Sequence, residues 1–132
     1  MTDEGARPAL LLVVDDEEGM RDTLLDILEA YEFDVEQACN GQEAVDKVRR
    51  RPYHLVLMDV KMPVMDGLMA LHLIRAIRPK LPVILMTAYA DTVSLDRAKM
   101  DGATAIFAKP LKLDDLRRLI QSLLPVQGRG GW

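Results

Sequence analysis

The chain has 132 residues, of which 49% are hydrophobic and 29% charged, proportions that fit one ordinary globular domain and exclude a disordered or fibrous chain. A formal net charge of −4 argues against nucleic acid as a direct partner, because phosphate backbones are bound by clustered positive charge. The single cysteine, Cys39, excludes an internal disulfide framework and has no His or Cys at ligand spacing to suggest zinc, so it is expected as a small half-buried side chain.

Residues 1–8 read as an N-terminal extension, with Asp3 and Glu4 where a targeting signal would be basic. Leu10–Val14 is an apolar run of strand length, too short for a signal-peptide core or a membrane span, so a cytoplasmic domain without membrane contact is expected. Met20, Leu24, Ile27, Leu28 and Tyr31 then share one helical face. Asp34–Ala38 alternates like an edge strand, and Gln42–Arg50 predicts a helix whose basic end, Arg49 to Arg51, complements the helix dipole and stays solvated. Leu55–Met58, Val83–Met86 and Ala105–Ala108 are apolar without alternation, as strands buried on both faces of a parallel sheet are. Helices are expected around Leu68, Leu71 and Ile74, over Thr92–Met100, and along Leu113, Leu116, Ile120 and Leu123. Residues 9–124 form the predicted domain; 125–132, ending in the glycine-rich QGRGGW, read as a flexible tail or a truncated linker.

Strand then helix, five times over, implies a doubly wound parallel α/β sheet with helices on both faces. The polar residues that matter follow the strands: Asp15 and Asp16 the first, Asp59 the third, Thr87 the fourth, Lys109 the fifth. Ligands of such sheets bind outside the carboxyl ends of the strands, so these five mark one site. Asp59 to Thr87 is 28 residues and Thr87 to Lys109 is 22, each about one strand–helix unit, whereas Asp16 to Asp59 is 43. The doubled interval holds the weak second strand, which moves to the edge and gives the flavodoxin-like order 2-1-3-4-5 with five helices. Asp16 and Asp59 then stand about one strand spacing, ~4.8 Å, apart.

Three crowded carboxylates repel one another, a penalty that a divalent cation removes. Mg²⁺ suits the cluster, since it takes oxygen ligands from one or two carboxylates and keeps waters for a phosphate to displace; Mn²⁺ is the substitute. Asp59 can act as a nucleophile forming an acyl phosphate. Lys109, roughly 10 Å across the sheet, can reach back as a point charge, and Thr87 can donate its hydroxyl to another phosphoryl oxygen. The Lys109–Pro110 bond is one that can be cis, which would turn the lysine inward, and the small Ala88 leaves the site open.

The segments LLLVVDDEEGMR, HLVLMDVKMPVMDG, VILMTAYA and GATAIFAKPLKLDDL resemble the signature stretches of response-regulator receiver domains of two-component and phosphorelay systems, over residues 9–124. The resemblance implies that Asp59 is phosphorylated, that Asp16 ligates the metal directly and Asp15 through water, and that the Lys61 carbonyl is a further ligand. It implies Thr87 as the switch hydroxyl, Lys109 as the phosphate-binding lysine and a cis Lys109–Pro110 bond. The implied donor is a phosphohistidine on a sensor histidine kinase or histidine phosphotransfer protein. The implied output is a downstream domain or protein reading the fourth-helix, fifth-strand and last-helix surface, with a phosphorylation-dependent homodimer left open. Receivers often carry Tyr or Phe three residues before the lysine; here Ile106 stands there, and alternation points Phe107 to the opposite face. Lys61, Tyr89 and the FAKP segment look most like a single-domain phosphorelay receiver.

Tyr89 and the Lys61 side chain are read equally as tuners of the acyl-phosphate lifetime and as plain surface. His54 and His72 are read as a strand start and a helix face, and the methionines as packing. Two other functions stay open: an aspartyl-phosphate phosphatase, whose usual second Asp two residues after the nucleophile is replaced by Lys61, and a receiver-like interaction module that is never phosphorylated.

Overall fold

The computed structural model describes residues 8–88 and 92–124. Ten elements alternate: β1 (Leu10–Val14), α1 (Glu18–Ala30), β2 (Asp34–Ala38), α2 (Gly41–Arg50), β3 (Leu55–Asp59), α3 (Gly67–Ile77), β4 (Val83–Thr87), α4 (Thr92–Met100), β5 (Ala105–Ala108) and α5 (Leu113–Leu123). All strand pairings are parallel, in the order β2-β1-β3-β4-β5. The expected flavodoxin-like fold is therefore what the chain adopts.

The apolar runs fold as strands because both faces of the sheet are covered. Leu12, Val14, Val56, Met58, Val83 and Leu85 point to one core with α2 and α3. Leu11, Val13, Leu55, Leu57, Ile84 and Met86 point to the other, with α1 and α5. Each fully buried Leu, Ile or Met adds about 1.5–3 kcal/mol of transfer free energy, so the β1–β3–β4 centre carries most of the stability. Ile106 packs on the first core and Phe107 on the second, as alternation requires.

Some expectations shift. β3 and β4 run one residue further than their apolar stretches, so Asp59 and Thr87 are the last strand residues and do not follow the strands. The ladder depends on backbone groups, which a polar side chain leaves intact. Cys39 is exposed and not half-buried, because β2 is an edge strand that ends at Ala38. Leu113, expected on the buried face of α5, is 37% exposed at the first position of the helix. The run Arg49 to Arg51 is exposed as expected, and Arg51 in addition pairs with Glu36 on β2 at 2.6 Å. His54 has a structural task, its Nδ1 accepting the Leu10 N–H at 2.9 Å. Tyr89, residues 1–7 of the N-terminal extension and the 125–132 tail lie outside the described residues.

The turn after β2 makes a local prediction. Asn40 caps α2 by accepting the Glu43 N–H at 2.8 Å, and the Glu43 carboxylate reaches back to the Cys39 N–H at 2.7 Å, one residue before the N–H a capping box would use. That bond to the charged form is the main reason the Glu43 pKa is lowered. A depressed folded pKa contributes stability above the ordinary glutamate value, about 4.3, and loses it as pH falls through the lower folded value. The urea midpoint difference between wild type and Glu43→Gln should accordingly be present at pH 6 and close below pH ~4, and carboxyl NMR should place the Glu43 midpoint below that of ordinary glutamates.

Candidate functional site

The strand ends bring the expected acids together. Val14 pairs with Met58 and Asp59 with Met86, so β1 and β3 deliver Asp15 and Asp59 to the same edge of the sheet. Ligand atoms of Asp15, Asp16 and Asp59 lie within 4.8 Å of one another, and this is a group of side chains able to hold a metal ion among the described residues. Asp15 and Asp59 are buried while Asp16 is exposed, so the cluster has a closed floor and one arm toward solvent.

Lys109 closes the floor. The ladder continues past β4 and β5 through a Lys109 N–H to Thr87 carbonyl bond of 2.8 Å, and the Lys109–Pro110 peptide is cis. The Lys109 Nζ donates to Asp59 Oδ2 at 3.0 Å and to Asp15 Oδ2 at 3.1 Å. Burial pulls the Lys109 pKa down, but the bonds to Asp59 and Asp15 outweigh it, and the net shift is upward, keeping the ammonium charged. The Asp59 pKa is raised, chiefly by burial and then by the Asp15 charge, against the lowering bonds from Lys109 and the Lys61 backbone.

Thr87 is buried at the end of β4, and Ala88 beside it is exposed and small. Lys61 is exposed, with its backbone bonded to the Asp59 carboxylate. The β3–α3 loop is tightly held: the Gly67 N–H donates to the Val60 carbonyl at 2.7 Å and Asp66 caps α3 through the Met69 N–H at 2.9 Å. Within it Val64, a β-branched residue, sits at φ 71°, an unusual conformation for that side chain.

Sequence reasoning assigned no role to the residues that anchor Asp15. Its Oδ1 accepts the Glu17 N–H at 2.9 Å, and its carbonyl accepts Arg21 Nη1 at 2.7 Å. Arg21 belongs to the DDEEGMR stretch, and a long cation in the first turn of the helix after an acidic strand end was the available signal.

The family model for the response regulator receiver domain matches residues 11–121. The chain belongs to the response regulator receiver family. As a receiver domain it is a signalling module of two-component and phosphorelay systems. It is 36% identical over 117 residues to sporulation initiation phosphotransferase F of Bacillus subtilis, covering 89% of this chain and 94% of that protein. It is also 36% identical to the transcriptional regulatory protein ZraR of Escherichia coli K12, over 86% of this chain but only 26% of that longer protein. Among solved structures, a CheY-like receiver domain of Methanospirillum hungatei superposes with a TM-score of 0.83 at 30% identity, covering 88% of this receiver and 94% of that chain. The response regulator TrrA of Thermotoga maritima, solved in complex with Mg²⁺-BeF, superposes at 0.81 with 32% identity, covering 88% and 99% respectively. Receiver domains bind Mg²⁺ at an acidic pocket and interact with histidine kinases, phosphotransfer proteins and output domains; the acidic cluster here is of that kind. Among the described residues no helix is long and apolar enough to cross a membrane.

Proposed function

We propose that this receiver domain, residues 9–124, accepts a phosphoryl group on Asp59 in the cytoplasm from a phosphohistidine on a sensor kinase or phosphotransfer protein. The observation that carries the reading is the convergence of Asp15, Asp16 and Asp59 with Lys109 at one strand edge. An Asp59 carboxylate oxygen attacks phosphorus as the phosphorus–nitrogen bond to the donor imidazole breaks, and the imidazole leaves with the electron pair and takes up a proton. Asp15, Asp16, Asp59 and the Lys61 carbonyl would hold Mg²⁺ or Mn²⁺, a donor set made wholly of oxygen, as those ions prefer. When bound, the ion would supply charge stabilisation to the transferring phosphoryl group.

Lys109 and Thr87 then do the work on the protein side. The lysine, already poised on Asp59 Oδ2, neutralises a phosphoryl oxygen, and the threonine hydroxyl hydrogen-bonds another. Movement of Thr87 biases the α4–β5–α5 surface, with Ile106 in place of a ring, so coupling runs through aliphatic packing; Ala88 and Pro110 follow Thr87 and Lys109 directly in the chain. The module turns over only its own phosphoryl group.

Incubation with acetyl phosphate and Mg²⁺, read by intact mass, should show one added phosphoryl group on the wild type and none on Asp59→Asn. An equal load on the variant would refute the assignment of Asp59. A wild type that takes up nothing would instead favour the interaction module that is never phosphorylated.

A further inference from the structure

We propose that Arg21 is a positioning residue for the cation-holding end of β1, a role that rests on the proposed function above and has no counterpart in it. The case begins with backbone bonds. Val14 pairs with Ala38, and the Asp15 N–H still donates to the Ala38 carbonyl at 3.1 Å. One step further, a continued parallel ladder would give the Asp15 carbonyl to the Asn40 N–H. β2 has already ended at Ala38, and Asn40 is the N-cap of α2 instead of a strand residue.

Asp15 is fully buried, so its carbonyl needs a partner that water does not supply. Arg21 supplies it from the first turn of α1: Nη1 donates to the Asp15 carbonyl at 2.7 Å, and Nε donates to Gln37 Oε1 at 3.1 Å. Two bonds on one planar fork fix both where the guanidinium lies and how it is turned, which a lysine's single point charge does not do. The result is a brace across α1, the end of β1 and β2. It stands behind the residue whose carboxylate is held by the Glu17 N–H and Lys109, and it sets the direction in which the following residue, exposed Asp16, leaves the strand.

Charge and geometry make opposite predictions for Arg21. A cation beside a cation site repels the incoming ion, so on Coulomb grounds alone its removal tightens Mg²⁺ binding. On positional grounds its removal loosens binding, because groups that orient metal ligands typically contribute tenfold or more to affinity. Arg21→Met loses both the charge and the brace, whereas Gln37→Met keeps the charge and loses only the tie that orients it.

The test is a magnesium chloride titration followed by the amide shifts of Asp16 and Asp59, with urea unfolding of each variant alongside. Arg21→Met is expected to bind Mg²⁺ about tenfold more weakly while still unfolding cooperatively, and Gln37→Met to weaken it in the same direction by less. Unchanged or tighter binding in a folded Arg21→Met overturns the proposal. Should that variant not fold, unchanged affinity in Gln37→Met overturns it instead. A wild type whose site amides ignore Mg²⁺ defeats the proposed function itself and this inference with it, whereas normal wild-type binding with indifferent variants removes Arg21 alone.

Discussion

Lys109→Met is expected to destabilise the metal-free protein by about 3 kcal/mol at neutral pH, far more than the loss of a surface ion pair. The side chains of Lys109, Asp15 and Asp59 are only 13%, 0% and 9% exposed, so solvent screens little of the interaction. One ammonium serves both carboxylates, and its removal leaves two buried anions facing each other. The cost is bounded, because Asp59, whose pKa burial already raises from its ordinary value, can take a proton. A raised folded pKa contributes fully below the unfolded value, near 3.9 for Asp, and its contribution is lost as pH rises through the folded value. In Lys109→Met the Asp59 pKa climbs further, so the gap to wild type in urea midpoint should be widest near pH 8 and shrink toward pH 5. Added Mg²⁺ should narrow the gap as well, since it offers the carboxylates another counter-charge. A gap indifferent to both pH and Mg²⁺ would mean that lost packing of the lysine stem, and not charge, sets the cost.

The central strands were legible because burial on both faces demands unbroken apolar runs, as at Leu10–Val14, and Asp34–Ala38 because it alternates; Ala105–Ala108 folds with its expected bounds but, expected to be buried on both faces, is the second edge strand and has no fully buried residue. Polarity misleads at strand ends. Asp59 and Thr87 look like loop residues, yet their backbones stay in the ladder, and that is what holds their side chains at fixed height beside Asp15. The five polar residues of the candidate site could be read from their positions after apolar runs. The bracing around them could not, because it depends on long side chains whose reach crosses elements. Arg21 on the Asp15 carbonyl, Arg51 on Glu36 and Arg75 on the Gly102 carbonyl are examples. Lys109 was expected to reach toward Asp59, but its second carboxylate, Asp15, lies 94 residues away and becomes a neighbour only through the β1–β3–β4–β5 order.

Gly67→Ala should damage both stability and phosphoryl uptake, although alanine is the better helix former and Gly67 opens α3. A Cβ at this position would lie 2.2 Å from the Asp59 carbonyl oxygen, 3.0 Å from the Val60 Cα and 3.1 Å from the Asp59 carbonyl carbon. All three are backbone atoms, so no rotamer change relieves the clash; β3 and α3 must separate, and the bond from the Gly67 N–H to the Val60 carbonyl must stretch. Overpacking typically costs 1–3 kcal/mol, and with an immovable neighbour the upper end, about 3 kcal/mol, outweighs the ~1 kcal/mol that alanine gains in helix propensity. The displaced atom belongs to Asp59 itself, and a shift near 1 Å in a reacting group can cost about 100-fold in rate. Gly19→Ala is the matched control, since a Cβ there meets nothing within 4 Å and should leave stability equal or slightly higher. Urea midpoints and the initial rate of phosphoryl uptake from acetyl phosphate, measured on both variants, decide the matter. If Gly67→Ala keeps wild-type stability and rate, the close seating of α3 under β3 is not what places Asp59.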